Sequence, residues 1–452
     1  MNVFNKNILV VGMARSGIAV SKALLLLGAK VTINDLRTEN ELHESLKELN
    51  DLLFIKSFGV VPDQLIDNMD MIIISPSVPI DSDFIKRATM LHIPVLSELE
   101  CAYQLCKGTL IGITGTNGKT TTTALTGEIF KNAGNVTHVV GNIGIPFSGK
   151  VHHMKTDDII IAEVSSFQLE AIEQFKPKIS VILNITEDHL NRHKTMGNYI
   201  SMKARIFENQ TSSDFVILNY EDKLAMSLAT KVKAHLLFFS SLHKLDCGSF
   251  VEDDNIIFQF EGLKKVICNI NEIRIPGKHN LENALAAVTI ACIMKIPISV
   301  IRHTLLIFPG IEHRTEFVKQ VEDVDYINDS KGTNPDASIK AIQAMKKPIV
   351  VIAGGMNKGS DFSEFIDSFD GFVTALVVLG ETAELIMNTA RNKGFSNIYK
   401  VADIQAAVIT AHKLAKPGDC VLLSPACASW DMFKDYEERG HVFKEAVYAL
   451  RG

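Results

Sequence analysis

The stretch GITGTNGKTTTT, residues 112 to 123, sets Lys119 behind a glycine-bearing turn and ahead of four threonine hydroxyls. The apolar residues before it read as a strand and those after it as the start of a helix, so the turn presents backbone N–H groups that have no intrahelical partner. Such a turn binds anions, and a lysine beside it adds positive charge for phosphates. Gly115, Thr116, Asn117, Gly118, Lys119, Thr120 and Thr121 therefore form a candidate cradle for ATP, with Thr120 offering its hydroxyl to the accompanying Mg2+. The spacing departs from the common G-x-x-x-x-G-K-[ST] pattern, because Ile113 stands where the first glycine would fall. Glycine turns before helices are also ordinary packing; the Gly118-Lys119-Thr120 core is what favours a nucleotide.

Other chemistry-bearing residues sit at the ends of apolar runs. Glu163 follows DIIIA and His189 lies just beyond ISVILNI, at strand ends where α/β sheets bind ligands. Read alone, Glu163 is a solvated strand terminus and His189 a packed or capping side chain. Lys203, in YISMKARIFEN, reads as a surface charge on a helix, and a protonated amine repels a metal ion. Asn280 and Asn283 open a helix after GKH, where asparagine is a good N-cap. Near the amino terminus, Gly12 and Gly17 form G-x-x-x-x-G and not the dinucleotide fingerprint G-x-G-x-x-G. Asp35 ends the second strand, with Arg15, Ser16, Arg37 and Ser75 in the surrounding turns. In the last third, Lys331, Thr333, Lys358 and Ser429 all follow predicted strands.

The elements that must position these residues alternate strand and helix throughout. NILVVG, AKVTIND, MIIISP and IPVLSE make a first Rossmann-like series; TLIGITG, DIIIAEVSS and ISVILNI a second; DYINDS, PIVVIAGG, TALVVLG and CVLLSP a third. Alternation of this kind predicts parallel sheets covered on both faces. At 452 residues, and roughly 150 residues per domain, the chain is expected to form three consecutive α/β domains. These are a Rossmann-like unit over residues 1–100, a central P-loop ATPase-type unit over 101–309 and a Rossmann-like unit over 310–452. A net charge of −6 gives no basic surplus for nucleic acid. The apolar runs are far shorter than the roughly 20 residues of a membrane span, and no leader pattern opens the chain. Seven cysteines without paired spacing read as reduced thiols in a cytoplasmic protein.

The glycine turn resembles that of the Mur ligase family and of its relative folylpolyglutamate synthase, in which GTNGK precedes small or hydroxyl residues. GNIG at 141, AEVSSFQLE at 162, LNITEDHL at 183, GKHNLENALAA at 277, EHRTE at 312, NDSKGTN at 328 and LLSPACASWDMFKDYEERG at 422 extend the resemblance, in order, over nearly the whole chain. The last two are most similar to the members that add D-glutamate to UDP-N-acetylmuramoyl-L-alanine.

This resemblance implies that Glu163, His189 and Thr120 bind magnesium, with two ions expected, and that Lys203 becomes a ligand once carbamylated by carbon dioxide. It implies that Asn283 lies near adenine and Arg314 contacts the nucleotide. Arg15, Ser16, Asp35, Arg37, Ser75 and Asn142 would hold the UDP-sugar. Thr333, Lys358 and Ser429 would hold D-glutamate, with Tyr436 where relatives can carry phenylalanine. Lys331 would face the transferred phosphate and Asp329 would orient the cluster or the attacking amine. Lys119, His189, Lys203, Lys331 and Asp329 are the implied catalytic set, in a monomer. A folylpolyglutamate-type ligase is the nearest alternative, but there the glycine turn lies near the amino terminus, whereas here about 100 residues of Rossmann-like domain precede it. An NAD-dependent oxidoreductase built on residues 1–100, or a nucleotide sensor without catalysis, leaves Glu163, His189 and the late lysines unexplained.

Overall fold

The computed structural model describes residues 1–142, 144–357 and 359–450, and of Asn191 the backbone alone. By its internal contacts the chain divides into two compact units. One is Met1–Glu272 with Glu282–Leu306, the other Ile273–Leu281 with Ile307–Gly452.

The first unit holds two sheets. Five short parallel strands, β1 (Asn7–Val11), β2 (Lys30–Asp35), β3 (Ile55–Phe58), β4 (Met71–Ile74) and β5 (Val95–Ser97), lie in the order β3-β2-β1-β4-β5. Chain order reverses at β1, where the next strand on one side is β2 and on the other β4, and ligands bind α/β sheets at such a switch point. The cores on the two faces are built from Ile8, Val10 and Ile33 on one side and Leu9, Ile72 and Ile74 on the other. Alternate residues of each strand serve opposite cores, which is why these strands are apolar at nearly every position.

The second sheet has nine strands: β6 (Thr109–Thr114), β7 (Thr137–Gly141), β8 (Ile159–Glu163), β9 (Ile179–Ile182), β10 (Phe215–Asn219), β11 (His235–Ser240), β12 (Gly248–Glu252), β13 (Asn255–Phe260) and β14 (Leu263–Asn269). Their order is β14-β13-β12-β11-β10-β9-β6-β8-β7. The stretch from β7 to β12 is parallel, while β13 and β14 return as antiparallel hairpins. Only β6, β8 and β9 of this sheet are expected from the sequence, as TLIGITG, DIIIAEVSS and ISVILNI. Strand β6 sits between β8 and β9, so the glycine turn, Glu163 and the turn carrying His189 all leave the same edge.

The second unit holds β15 (Glu316–Val321), β16 (Val324–Asn328), β17 (Ile349–Gly354), β18 (Val373–Leu379), β19 (Ile398–Lys400) and β20 (Cys420–Leu423), in the order β15-β16-β20-β17-β18-β19. All pairs are parallel except the β15–β16 hairpin. Every residue of β17 is buried, with Val351 and Ala353 in one core and Val350 and Ile352 in the other. Asp329, Gly355 and Ser424 therefore emerge at one edge of this sheet. Three α/β domains are thus present. All seven cysteines are free thiols, and among the described residues no helix is long and apolar enough to cross a membrane.

Candidate functional site

At the switch point of the first sheet lies a cavity of about 400 Å³ lined by Gly12, Asp35, Leu36, Ser77, Val78 and Ser82, among others. Gly12 has φ +95° and its carbonyl accepts a hydrogen bond from Ser75 Oγ at 2.8 Å. A Cβ at Gly17 would stand 1.8 Å from the Gly12 oxygen, so the helix Arg15–Leu26 can begin this close to the strand only with glycine there. Arg15 is exposed and Ser16 half-buried on the first turn of that helix.

Asp35 is already saturated. Its Oδ2 accepts from the Met13 amide at 2.7 Å and from Arg37 Nη2 at 2.9 Å, and its Oδ1 accepts from the Arg37 amide at 2.9 Å and from Arg37 Nε at 3.0 Å. Burial alone would raise its pKa, but the Arg37 hydrogen bonds and charge, with the Met13 amide, outweigh burial and hold it at about 2. Asp35 therefore organises the cavity wall as a permanent carboxylate, while the turn it fixes presents backbone to a ligand.

At the edge of the second sheet the glycine turn runs from Gly115 (φ +155°) to Gly118 (φ +84°) and enters the helix Lys119–Asn132. Gly118 is enforced by its neighbours as well as by its φ, because a Cβ there would meet Asn283 Oδ1 at 2.3 Å. Asn283 also accepts from Thr122 Oγ1 at 3.2 Å, which ties the helix Lys278–Ile293 to the turn. Asn184 brackets Asn117 from both sides, accepting from its amide at 2.8 Å and donating to its carbonyl at 3.1 Å. Thr116 Oγ1 meets Tyr199 Oη at 3.1 Å. Thr120 and Thr121 occupy the first helical turn, Thr121 buried and Thr120 half-buried.

Two lysines converge on this turn. Lys119 Nζ donates to the carbonyls of Gly115 and Thr116, both at 2.9 Å, and Lys203 Nζ donates to the same Gly115 carbonyl at 2.8 Å. Lys203 is only 2% exposed, its amine 4.6 Å from the centre of the Tyr199 ring. Among the described residues no carboxylate lies within ion-pair distance of it. Burial, reinforced by the charge of Lys119, pulls its pKa well below that of an ordinary lysine, with Asp188 opposing. The expectation from its own sequence context, a surface cation, is corrected: the helix Met196–Ala204 turns Lys203 inward.

Glu163, buried at the end of β8, accepts from Asn142 Nδ2 at 3.1 Å, and its carbonyl accepts from the Asn142 amide at 2.9 Å. Asn142 thus stands beside this carboxylate, apart from the cavity of the first sheet. His189 holds a left-handed backbone, φ +54°, its ring tilted against Phe167 at 4.9 Å and its Nε2 3.3 Å from Asp188 Oδ2. Thr120, Glu163 and His189 offer hard oxygen and nitrogen donors of the kind Mg2+ accepts. Asn184, Tyr199, Phe167 and Asp188 belong to this site and were not singled out in the sequence; only their nearness to quoted motifs signals them.

In the second unit, Asp329 receives Thr315 N–H at 3.1 Å and Ser424 Oγ at 2.7 Å. Burial pushes its carboxyl up to about 6, against the pull of the Ser424 hydroxyl, the Arg314 charge and the Thr315 amide. Lys331 Nζ lies 3.2 Å from Tyr436 Oη and 4.8 Å from the ring centre, and the Thr333 amide donates to the Lys331 carbonyl at 2.8 Å. Ser429 is buried in the turn after β20. Lys358 lies outside the described residues. Arg439, 2% exposed, braces these turns: its Nε donates to Ser330 Oγ at 3.0 Å, Nη2 to Ser330 O at 2.8 Å and Nη1 to Cys427 O at 3.1 Å. Burial lowers its pKa to about 10.

Glu312, His313 and His441 bring three ligand atoms within 4.8 Å of one another. Chemistry argues against a metal there. Asn328 Oδ1 accepts from Ser330 N–H, so its Nδ2 donates to His313 Nδ1 at 2.9 Å, and the proton of a neutral His313 must sit on Nε2, which faces Glu312. Lys444 already bridges Glu312 and Glu316 at 2.9 and 2.6 Å.

Three family descriptions match the chain in succession: the Mur ligase MurD-like N-terminal domain over residues 6–97, the Mur ligase middle domain over 113–291, and the Mur ligase glutamate ligase domain over 313–427. A UDP-N-acetylmuramoylalanine–D-glutamate ligase of Clostridioides difficile (strain 630) is 48% identical over 455 residues, covering 100% of both chains. A protein of the same name from Thermoanaerobacter sp. (strain X514) is 49% identical over 453 residues, again covering 100% of both. Among solved structures, a UDP-N-acetylmuramate-alanine ligase of Thermotoga maritima aligns with TM-score 0.62 at 21% identity, covering 98% of this chain and 99% of that one, which shows a common fold. With three successive domain matches and end-to-end likeness to the two D-glutamate ligases, the chain belongs to the Mur ligase family.

Proposed function

We propose that this protein is an ATP-dependent ligase that joins D-glutamate to UDP-N-acetylmuramoyl-L-alanine in peptidoglycan precursor synthesis, working in the cytoplasm as a monomer. The observation that carries this reading is the end-to-end likeness, at 48% identity, to a D-glutamate ligase. The clusters support it. A switch-point cavity suits a nucleotide-sugar, and Arg15, Ser16, Arg37 and Ser75 are assigned to that ligand from outside the cavity lining, Ser75 bonded to the lining residue Gly12 and Arg37 to Asp35. A glycine turn with Lys119 suits the phosphates of ATP, with Asn283 and Arg314 assigned to the nucleotide. A cationic and hydroxyl-lined set of turns with Lys331, Thr333, Ser429 and Tyr436 suits a dicarboxylate.

The chemistry follows from what these groups can do. Amide formation from a free carboxylate in water is uphill, so the alanyl carboxylate oxygen attacks the γ-phosphorus of ATP, ADP leaves, and an acyl phosphate results. The D-glutamate amine, having lost its proton, adds to the acyl carbon, and phosphate departs as the tetrahedral intermediate collapses. Lys119 and Lys331 stabilise the negative charge that builds on phosphoryl and leaving oxygens; loss of such a donor costs about 100- to 1000-fold in rate. Asp329, whose carboxyl titrates near 6, orients the third cluster and the incoming amine.

Mg2+, two ions by this reading, would be held by Thr120, Glu163 and His189 and would neutralise charge on the transferring phosphoryl group. Lys203 joins that set as a carbamate: its neutral Nζ adds to carbon dioxide, an N–C bond forms, and one proton is released to solvent. A lysine buried without a carboxylate partner, and with its pKa pulled down, has the free electron pair this addition needs. The test is phosphate release from ATP with UDP-N-acetylmuramoyl-L-alanine against a panel of D- and L-amino acids. Release that depends on D-glutamate alone is expected; release with folate in place of the nucleotide-sugar, or none with any amino acid, overturns the reading.

A further inference from the structure

Two turns leave the catalytic edge of the second sheet side by side: Ser165–Glu170 after β8 and Asp188–His193 after β9. They are fastened together by Ser166 Oγ and His193 Nε2 at 2.9 Å, and by the Phe167 ring, which packs against His189 at 4.9 Å and His193 at 5.4 Å. Arg192 completes the joint. Its Nε and Nη2 meet the two oxygens of Glu170 at 3.2 and 2.6 Å, and its guanidinium carbon lies 5.2 Å from the centre of the Phe167 ring. The same guanidinium also leaves the second sheet: Nη2 donates to Val78 O at 2.8 Å and Nη1 to Ser77 O at 3.4 Å.

Ser77 and Val78 are wall residues of the cavity on the first sheet. One planar cation therefore holds the backbone of that cavity on one side and, on the other, the turn packed against His189. Other ties between the two domains are of another kind, among them His152 Nε2 with Ala23 O at 3.1 Å. Glu98 accepts from the amide and hydroxyl of Ser148, and Glu100 accepts from the amides of Glu173, Gln174 and Phe175. None of these residues lines the cavity or belongs to the glycine turn, so they fasten the domains whether or not Arg192 is present.

We propose that Arg192 is a positioning residue that couples occupancy of the first-sheet cavity to the geometry of the His189 turn, so that nucleotide-sugar and Mg–nucleotide each tighten the other's binding. A planar fork suits this task because it makes both sets of hydrogen bonds in one fixed orientation, which a lysine cannot. A ligand that draws the Ser77–Val78 backbone toward itself moves the guanidinium, and with it Glu170, Phe167 and the ring of His189. Coupling of this kind is reciprocal by thermodynamic necessity. The inference rests on the ligase reading for the identity of the two ligands.

The test is calorimetric binding of UDP-N-acetylmuramoyl-L-alanine with and without a non-hydrolysable ATP analogue and Mg2+, in the full-length protein and in Arg192→Lys, Arg192→Gln and Glu170→Gln. In the wild type, the nucleotide is expected to tighten the sugar by about tenfold, within the usual range for coupled sites. Arg192→Gln should bring that factor below about twofold, with Glu170→Gln and Arg192→Lys between. The KM for UDP-N-acetylmuramoyl-L-alanine should rise in step, while that for D-glutamate stays at the wild-type value. Equal coupling in all four proteins, or none in the wild type, overturns the inference. A wild type that turns over with D-glutamate while coupling ignores Arg192 sinks this proposal alone; a wild type that binds no nucleotide-sugar sinks the ligase reading. If Arg192→Gln does not fold, the lysine and Glu170 variants carry the same comparison.

Discussion

Lys203 and Asp329 are both buried ionisable groups that form no ion pair among the described residues, and each yields a measurable consequence. In the unfolded chain Lys203 is protonated up to about pH 10.4, whereas burial lowers its pKa in the native state. Below the unfolded pKa the unfolded chain holds the extra proton, so stability rises with pH across that window. Lys203→Met should therefore stabilise the fold at neutral pH by about 1–4 kcal/mol, read as a higher melting temperature, and lower phosphate release by about 100-fold or more. Lys203→Ala regaining activity with small carboxylic acids would confirm a carboxylate-like role; full activity without supplement would exclude it. For Asp329 the sign is opposite. Its native pKa, raised to about 6, exceeds the unfolded value of about 3.9, so its contribution is fully present below pH ~4 and is lost as pH rises through 6. Asp329→Asn should gain about 1–3 kcal/mol at pH 7.5 in a denaturant titration and should erase an acidic limb near pH 6 from the rate profile. The residue types at this site were legible in the sequence, but their state was not. Nothing in YISMKARIFEN says that Lys203 points inward, and nothing in VTINDLR says that Arg37 already fills Asp35.

Backbone geometry explains which elements could be read and which were missed. Central parallel strands such as IVVIAG and IIIAE are apolar at almost every position because both faces are covered, and all of those named from sequence are present. The strands overlooked were β3, β7, β10 to β15 and β19, chiefly edge or hairpin strands with polar residues interleaved. Three of the connections are tight hairpin turns. Asp253-Asp254, Glu261-Gly262 and Glu322-Asp323 each take positive φ at both positions, the two-residue hairpin turn that follows the right-handed twist of its strands. Glycine substitutions separate conformational cost from function at this scale. Gly118→Ala puts a Cβ 2.3 Å from Asn283 Oδ1 at φ +84°, whereas Gly262→Ala, at φ +76°, meets nothing within 4 Å. Both should lose about 1–2 kcal/mol for the left-handed backbone. Only Gly118→Ala should also displace Asn283 and weaken ATP binding, by about tenfold or more for ~1.4 kcal/mol of lost contact. Equilibrium binding of an ATP analogue to the two variants checks this; equal affinity would show that the turn tolerates a side chain.

At the scale of the whole chain, the clusters fall in different compact units, and Arg314, assigned to the nucleotide, lies in the second. The cavity, the glycine turn, Glu163 and His189 belong to Met1–Glu272 with Glu282–Leu306; Asp329, Lys331, Thr333, Ser429 and Tyr436 belong to Ile273–Leu281 with Ile307–Gly452. A ligand stabilises the structure that makes its site, by RT ln(1 + [L]/Kd), or about 2.7 kcal/mol at a hundredfold excess over Kd. Amide hydrogen exchange can locate that stabilisation, because openings occur in cooperative segments whose free energies differ. UDP-N-acetylmuramoyl-L-alanine alone should therefore slow exchange around Gly12–Met13 and Ser75–Val78, by up to about 100-fold at that excess, and leave the amides of Asp329–Thr333 and Ala426–Ser429 unchanged. The ATP analogue with Mg2+ should add protection over Gly115–Thr122 and in the turn around His189. In the second unit, Ala426–Ser429 should respond only once D-glutamate is supplied, while the amides beside Arg314 should respond to the nucleotide. Equal slowing in both units on adding the nucleotide-sugar alone would mean that this ligand is shared between them, and that the assignment of Arg15, Ser16, Arg37 and Ser75 as its principal contacts is wrong.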